Sequence, residues 1–590
     1  MSGPLAPEQE DFIRKNLKTL SARRMAAALG VKRTDVEAFV RSLGSSPSPG
    51  SPSPAAPRPE VWWLAGLFFL ALILRLYYLN VLGGTPFFEP LSKLLDDGVY
   101  DARGQSIAAG DWLGRDWPWL VYLTPLYPYF LGVVYWLVGR SLETVHLIQT
   151  FLGAVTPVLV YRLTRESFGG RRAPLLAGLL AAVYVPFIYY EDMLAGESLS
   201  IFLSLCALLL LARDLRRERA AFGMVFIAGL LFGIGALLRP HLMIAVVFPA
   251  LYLGYFWAVQ KREIKRASGT VLLLLAGVAA GIAPITLKNY LVYGDFVPVS
   301  AHGGANLYMC NNPKIEQGMS PIDVFGAGVK EMPDRAVAIA EKATGRTLKP
   351  SQVSAYWVAR TLDYVRASPG GFLAGIARKA LLFFNRYEIA DMRDMLFTAE
   401  FIPFLRPASF QFGVVTVLAL CGAVLCWPAA TAAARLLFSF AFGYAGSVIL
   451  FLVSSRYRVP VVPVFIVFAA AALEQAESAW RRADQAALSR LALVGALAAA
   501  FVFYPIPVMN FSRSYNSLGI YFDQKGRYAD SKRCYLKSLS IDPDFPDPYH
   551  NMALHYHFRE PDDAKAAAYE QRARALKDAA HAQGAQASGL

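Results

Sequence analysis

The chain has 590 residues, with 58 Lys and Arg against 44 Asp and Glu, a formal net charge of +14. It is 55% hydrophobic and only 17% charged, too apolar for a water-soluble enzyme of this size, which excludes an ordinary soluble globular fold. The basic excess is that of a membrane protein with Lys and Arg gathered in its cytoplasmic loops, and no nucleic-acid partner is expected.

In chain order, residues 1–44 are polar, and "LSARRMAAALGVKRTDVEAFV" reads as two short helices around a glycine turn, a small cytoplasmic helix-turn-helix-like module. Residues 45–60, "SSPSPGSPSPAAPRP" and one more, are a Pro/Ser linker that cannot build a core. A membrane domain is expected over 61–509, opening with "VWWLAGLFFLALILRLYYL". Such a run supplies the roughly 20 residues that cross a hydrocarbon layer of about 30 Å. It starts behind a polar segment and is therefore an anchor, not a cleaved signal. Threading the later apolar runs between the basic clusters at 165–172, 213–219, 261–266 and 480–482 gives about 11 crossings. The positive-inside bias puts those clusters and the N-terminus in the cytoplasm. The apolar stretch 120–139 is read as a juxtamembrane helix, because a further crossing there would invert every later basic loop.

This threading sends to the outer side two long segments, 83–140 and 291–408, and a tail from 510 to 580. The first segment carries Asp96 and Asp97 ahead of an amphipathic stretch, where low dielectric raises a carboxylate's affinity for a proton and suits it to take one from a hydroxyl. A second acidic group, Glu191, Asp192 and Glu197, stands where the chain re-enters an apolar run, a costly position that calls for a polar cavity or a partner. Five cations lie on the side that the charge bias disfavours: Arg75, Arg239, Lys288, Arg456 and Arg458. One alone would be a snorkelling side chain; five together point to an anion, and a phosphate held at the membrane surface suits the planar fork of arginine. In "HGGANLYMCNNP", His302, Asn306, Asn311 and Asn312 are either hydrogen-bonding groups for a sugar or acceptor, or parts of an Asx-turn loop. Cys206, Cys310, Cys421, Cys426 and Cys534 show no paired metal-ligand spacing and are read as free.

The tail segment "YNSLGIYFDQKGRYADSKRCYLKSLSIDP" fits a tetratricopeptide pattern through Leu518, Gly519, Gly526, Tyr528, Tyr535 and Pro543, and a more degenerate unit follows. It implies a protein acceptor or partner. His550, His555 and His557 are read as repeat surface.

Taken in order, "LDDGVYDARGQSIAAGDW", "PLYPYFLGVVYWLVGRSLETVHLIQ", "YYEDML", "LLRPH", "HGGANLYMCNNP" and "SSRYRVPVVP" resemble bacterial glycosyltransferases of the GT-C type over about residues 61–508. The nearer group includes protein O-mannosyltransferases and the lipid A aminoarabinose transferase. The resemblance implies an all-α polytopic fold, a polyprenyl-phosphate-linked sugar donor and a single-displacement, inverting transfer at the outer face of the bacterial cytoplasmic membrane. It also implies that Asp96 is the catalytic base, with Asp97 as its alternate, and that Glu197 is the nearest match to the second acidic position, ahead of Glu191 and Asp192. Arg239, Arg456 and Arg458 match donor-phosphate cations. No cofactor is required; related oligosaccharide transferases use a divalent ion, so Mg²⁺ or Mn²⁺ would bind if the acidic groups converged. A transporter or flippase of lipid-linked sugars and a scaffold acting through the tail are the competing classes.

Overall fold

The structure, a computed structural model, describes residues 22–31, 36, 59–92, 95–115, 117, 121–218, 221–316, 322–325, 330–391, 393–507 and 510–587. Every regular element among them is helical. The chain divides into two compact units, Met1–Trp62 and Trp63–Leu590. In the first, the helix Ala22–Leu29 is described, while most of the expected helix-turn-helix module and of the linker lies outside the described residues.

Eight helices among the described residues are long and apolar enough to cross a bilayer, which makes this a multi-pass membrane protein. Counting the pair Arg172–Ala182 and Val185–Glu191, bent by 50°, as one broken span brings the number to at most nine. Glu197–Asp214, with three charged residues in its 18, and Phe222–Ala236 are not among these candidate spans, so the described residues fall short of the expected 11. Phe222–Ala236 has 15 residues and, at a rise of about 1.5 Å each, falls short of the full hydrocarbon thickness. Leu126–Val138 is shorter still, with 13 residues, and packs on Asp96–Ala108. A Cβ on Gly132 would collide with the side chain of Ile107 there.

The closest helix pairing follows from a sequence pattern. Gly229 and Gly233 on Phe222–Ala236 face Gly277 and Gly281 on Ile264–Tyr293, each pair spaced by four. A Cβ on Gly229 would strike the Leu274 carbonyl, and one on Gly277 the Phe226 carbonyl, so both backbones touch. In lipid, where apolar burial gives helices little drive to associate, such small-residue contact supplies the packing.

Spans differ in how far they are enclosed. The apolar window of Ser455–Arg481 is 78% buried, against 11% for the neighbouring Gln485–Val502. Charges that open the first of these helices are therefore set among protein atoms and not lipid.

The long segment after Tyr293 is a helical subdomain rather than a loop. Gly303–Cys310, Glu331–Thr344 and Pro350–Ala367 close around their own core of Met309, Phe325 and Trp357. Beyond Pro369–Phe384 and an irregular stretch, Met395–Phe401 leads back to the bundle. The tail folds as two packed helix pairs, Ser512–Gln524 with Tyr528–Ile541 and Pro546–Phe558 with Asp563–Ala587. Gly519 leaves room for the Tyr535 ring between the first two. The tail rests on the rest of its unit through the Phe397 ring, 4.9 Å from Tyr515 and 5.6 Å from Phe511, and through Lys525, whose Nζ donates to Glu89 at 2.6 Å. Of the histidines expected at its surface, His557 is exposed and His555 is buried.

Candidate active site

Four separate elements converge on the guanidinium of Arg456. "SSRYRVPVVP" begins Ser455–Arg481, with Ser454 capping the first turn and Pro460 and Pro463 placed where a missing N–H is cheap. From that position Arg456 Nε donates to Glu197 Oε1 at 2.5 Å, and its Nη1 to Asp96 Oδ2 at 2.8 Å and Asp391 Oδ2 at 3.1 Å. Glu197 is the first residue of its helix, and Asp96 lies in the first turn of Asp96–Ala108; both are favourable places for a carboxylate against the helix dipole. Arg239, from the turn before His241, forms an ion pair with the same Glu197 oxygen and lies 5.0 Å from the Tyr457 ring centroid. The result is a cage of two guanidinium groups and three carboxylates. Its inner members are almost wholly buried: Glu197 is 0% exposed and Arg456 2%. The Asp96 and Asp391 side chains keep 24% and 25% of their surface and form its open side. Desolvation and the neighbouring Asp96 push the Asp391 carboxyl above its ordinary range, while Arg456 pulls it down.

The adjacent aspartates are separated by helix geometry. Successive residues project about 100° apart, so Asp97 turns away from Arg456 and accepts from Arg393 Nη2 at 2.6 Å. Arg393 also binds the carbonyl oxygens of Phe87 and Glu89. This pair is buried, with side chains 7% and 1% exposed, and it ties the end of the 291–408 segment to the 83–140 segment.

Other expected members of the site lie elsewhere. Arg75 is bidentate to Glu191, at 2.6 and 3.1 Å, and both are 1% exposed. Gly153 leaves the space that this carboxylate fills. Asp192 neighbours His146 at 3.8 Å. Lys288 reaches Tyr293, lying 4.9 Å from its ring centroid. Arg458, two residues after Arg456, points into a different shell: it donates to the carbonyls of Asn385 and Tyr387 at 2.8 and 2.7 Å and to Glu388 at 3.0 Å, with Phe412 3.6 Å beneath it. Both Nη atoms of Arg458, expected at a donor phosphate, are engaged by residues 385–388, apart from the cage. Asn311 and Asn312 are likewise engaged within the protein. Asn311 Nδ2 donates to the carbonyls of Leu307 and Leu450, its Oδ1 accepts from Lys379, and Asn312 bonds the main chain on both sides. His302 lies near enough to Asp96 to feel its charge, though burial pushes its imidazole down to about 4 and leaves it neutral at ordinary pH. Asn306 sits one turn further on, its backbone N–H bonded to the His302 carbonyl.

Asp391 and Arg393 were absent from the expectation. Their signal, "EIADMRD", lies in a polar segment, where acids and bases are ordinary. The carboxylates that do converge surround a guanidinium, and among the described residues no group of three or more His, Cys, Asp and Glu is arranged to hold a metal ion.

Residues 122–287 match the family model described as dolichyl-phosphate-mannose-protein mannosyltransferase. That stretch contains Glu191, Asp192, Glu197 and Arg239 and ends before Asp391, Arg456 and Arg458. Among solved structures, the chain is similar to ArnT from Cupriavidus metallidurans bound to undecaprenyl phosphate, with 14% identity and a TM-score of 0.31, covering 73% of this chain and 80% of that one. For the same protein in the apo state the values are 14%, 0.29, 72% and 80%. At this level of superposition neither structure assigns a residue of the cage. No curated protein matches the chain by sequence.

Proposed function

We propose that the protein is a GT-C-type glycosyltransferase that moves a sugar from a polyprenyl-phosphate-linked donor to an acceptor hydroxyl at the outer face of the bacterial cytoplasmic membrane. The observation that carries this reading is the cage itself. A carboxylate with access to water, Asp96, stands within hydrogen-bond distance of a buried arginine, beside a segment similar to dolichyl-phosphate-mannose transferases.

In this mechanism Asp96 takes the proton of the acceptor hydroxyl as its oxygen attacks the anomeric carbon. The bond from that carbon to the phosphate oxygen breaks on the opposite face, so the configuration inverts and polyprenyl phosphate leaves. Arg456, with Arg239 behind it, stabilises the charge that grows on the leaving phosphate. No step calls for a metal ion. Arg75 with Glu191, Arg393 with Asp97, and Arg458 with Glu388 form the frame. The tetratricopeptide-like tail is assigned to an acceptor protein or partner.

The test is transfer by the purified full chain in lipid, supplied with undecaprenyl-phosphate-linked sugars and read as release of undecaprenyl phosphate. Asp96→Asn should lower turnover about 10²–10⁴-fold, the usual worth of a positioned general base, while donor binding persists. A wild-type protein that binds the lipid-linked sugar, moves it across the bilayer and never cleaves it would be a flippase instead.

A further inference from the structure

The cage holds more negative than positive charge before any ligand enters. Asp96, Glu197 and Asp391 face Arg456 and Arg239, three carboxylates against two guanidinium groups. A donor phosphate brought to Arg456 would add further anionic oxygens to a site with little water, where like charges in contact cost several kcal/mol. One carboxylate must give way.

The three are not equally able to do so. Glu197 is fully buried, starts a packed helix and touches both arginines, so its release would take from buried Arg239 its carboxylate partner. Asp96 is fixed in the first turn of Asp96–Ala108, next to the Asp97 that holds Arg393. Asp391 belongs to no helix, and its side chain already meets solvent. The flanks of its stretch are pinned independently of it: Ile389 accepts from the Ser455 N–H at 2.9 Å, Arg458 holds 385–388, and Arg393 holds Asp97. The carboxylate can therefore turn to water while the backbone keeps its anchors.

We propose, on the basis of the glycosyltransferase reading above, that Asp391 is a placeholder ligand of Arg456, a positioning residue that holds the guanidinium in its working orientation without donor and yields its place to the donor phosphate. Asp391 acts through Arg456 and takes no part in bond making. It neutralises the arginine while the site is empty and sets the threshold that an incoming phosphate must exceed. An anion that binds weakly, such as free phosphate, would lose this exchange; a phosphate held to the site by a polyprenyl chain as well would win it.

The experiment measures equilibrium binding of undecaprenyl phosphate to the full chain in nanodiscs for the wild type, Asp391→Asn and Asp391→Glu, together with KM and kcat for the lipid-linked donor. Removal of the competing charge should tighten binding of the lipid phosphate by about tenfold and lower KM in parallel, with kcat reduced because Arg456 loses a ligand that orients it. Inorganic phosphate should begin to compete in Asp391→Asn and not in the wild type, and Asp391→Glu should restore wild-type values. A purely structural Asp391 would lower thermal stability and leave affinity unchanged or weaker, and that result overturns the proposal. Asp391→Ala gives a second reading should the amide bond Arg456 as the carboxylate does; unchanged affinity there also overturns it. If the wild type itself neither binds undecaprenyl phosphate nor transfers sugar, the glycosyltransferase reading fails first.

Discussion

Two arginines separated by one residue have opposite assignments. Arg458 serves the backbone of 385–388 and Glu388, while Arg456 serves carboxylates with access to solvent. Substitution should separate them. Arg458→Gln leaves Glu388, 3% exposed, with a buried and unpaired charge, a loss of about 3–5 kcal/mol for pairs of this kind. In Arg456→Gln the partly exposed Asp391 can turn to water, Asp96 keeps its contact with solvent, and Glu197 keeps Arg239, so stability falls less while donor binding is lost. Thermal unfolding in detergent and lipid-phosphate binding, measured on both variants, check this; equal loss of binding with equal stability would return Arg458 to the ligand set. The same contrast explains what was legible in the sequence. Glu197, Arg239 and Arg456 were visible because each charge interrupts an apolar setting, and Asp96 through the resemblance of its segment. Asp391 was not, because nothing local distinguishes it from a solubilising acid, and its partner is 65 residues away. The Asp96 and Asp97 pair stayed ambiguous until the helix phase was known.

At the scale of elements, the spans were legible because about 20 apolar residues have few alternatives to a membrane helix, and the glycine spacing within them carries packing information too. Gly277→Leu should drive a side chain into the Phe226 carbonyl and the Leu230 N–H, with no flexible neighbour to yield. Overpacking of this kind costs about 1–3 kcal/mol in well-packed interiors, and backbone on both sides places this site at the upper end. Gly223→Ala, at a position with nothing within 4 Å, is the control and should be neutral. Thermal denaturation of the purified protein, followed by retention of monodisperse material, compares them. The helices of the 291–408 segment were not legible. Their core around Trp357 is assembled from short amphipathic pieces, and each piece alone reads as a polar connector. Gly304 illustrates the point: a Cβ there would meet the Ser354 carbonyl of a later helix, a contact between pieces 50 residues apart that no local pattern announces.

For the whole molecule, charge and length together constrain how the chain lies in the bilayer. Ser455–Arg481 has 27 residues and, at about 1.5 Å per residue, separates Arg456 from Arg481 by a full membrane thickness. Glu197–Asp214 likewise has the cage at its first residue and Arg213 at its other end, and Ile264–Tyr293 has Lys265 and Arg266 at its start and Lys288 near its end. Each helix thus carries an ordinary basic cluster at the end remote from the charges in question, and the two sets cannot share one side. On the positive-inside bias we propose that the cage and the tail lie outside. Introduced cysteines test this orientation. Ser540→Cys, on the exposed side of the tail, should react with a membrane-impermeant maleimide in intact spheroplasts, whereas Lys261→Cys, exposed in a basic turn, should react only after permeabilisation. The unsubstituted chain gives the background from its five native thiols. The reverse pattern would put the cage in the cytoplasm, where the same residues would face a different pool of lipid-linked sugars and acceptors, and the proposed reaction would have to be reassigned to that face.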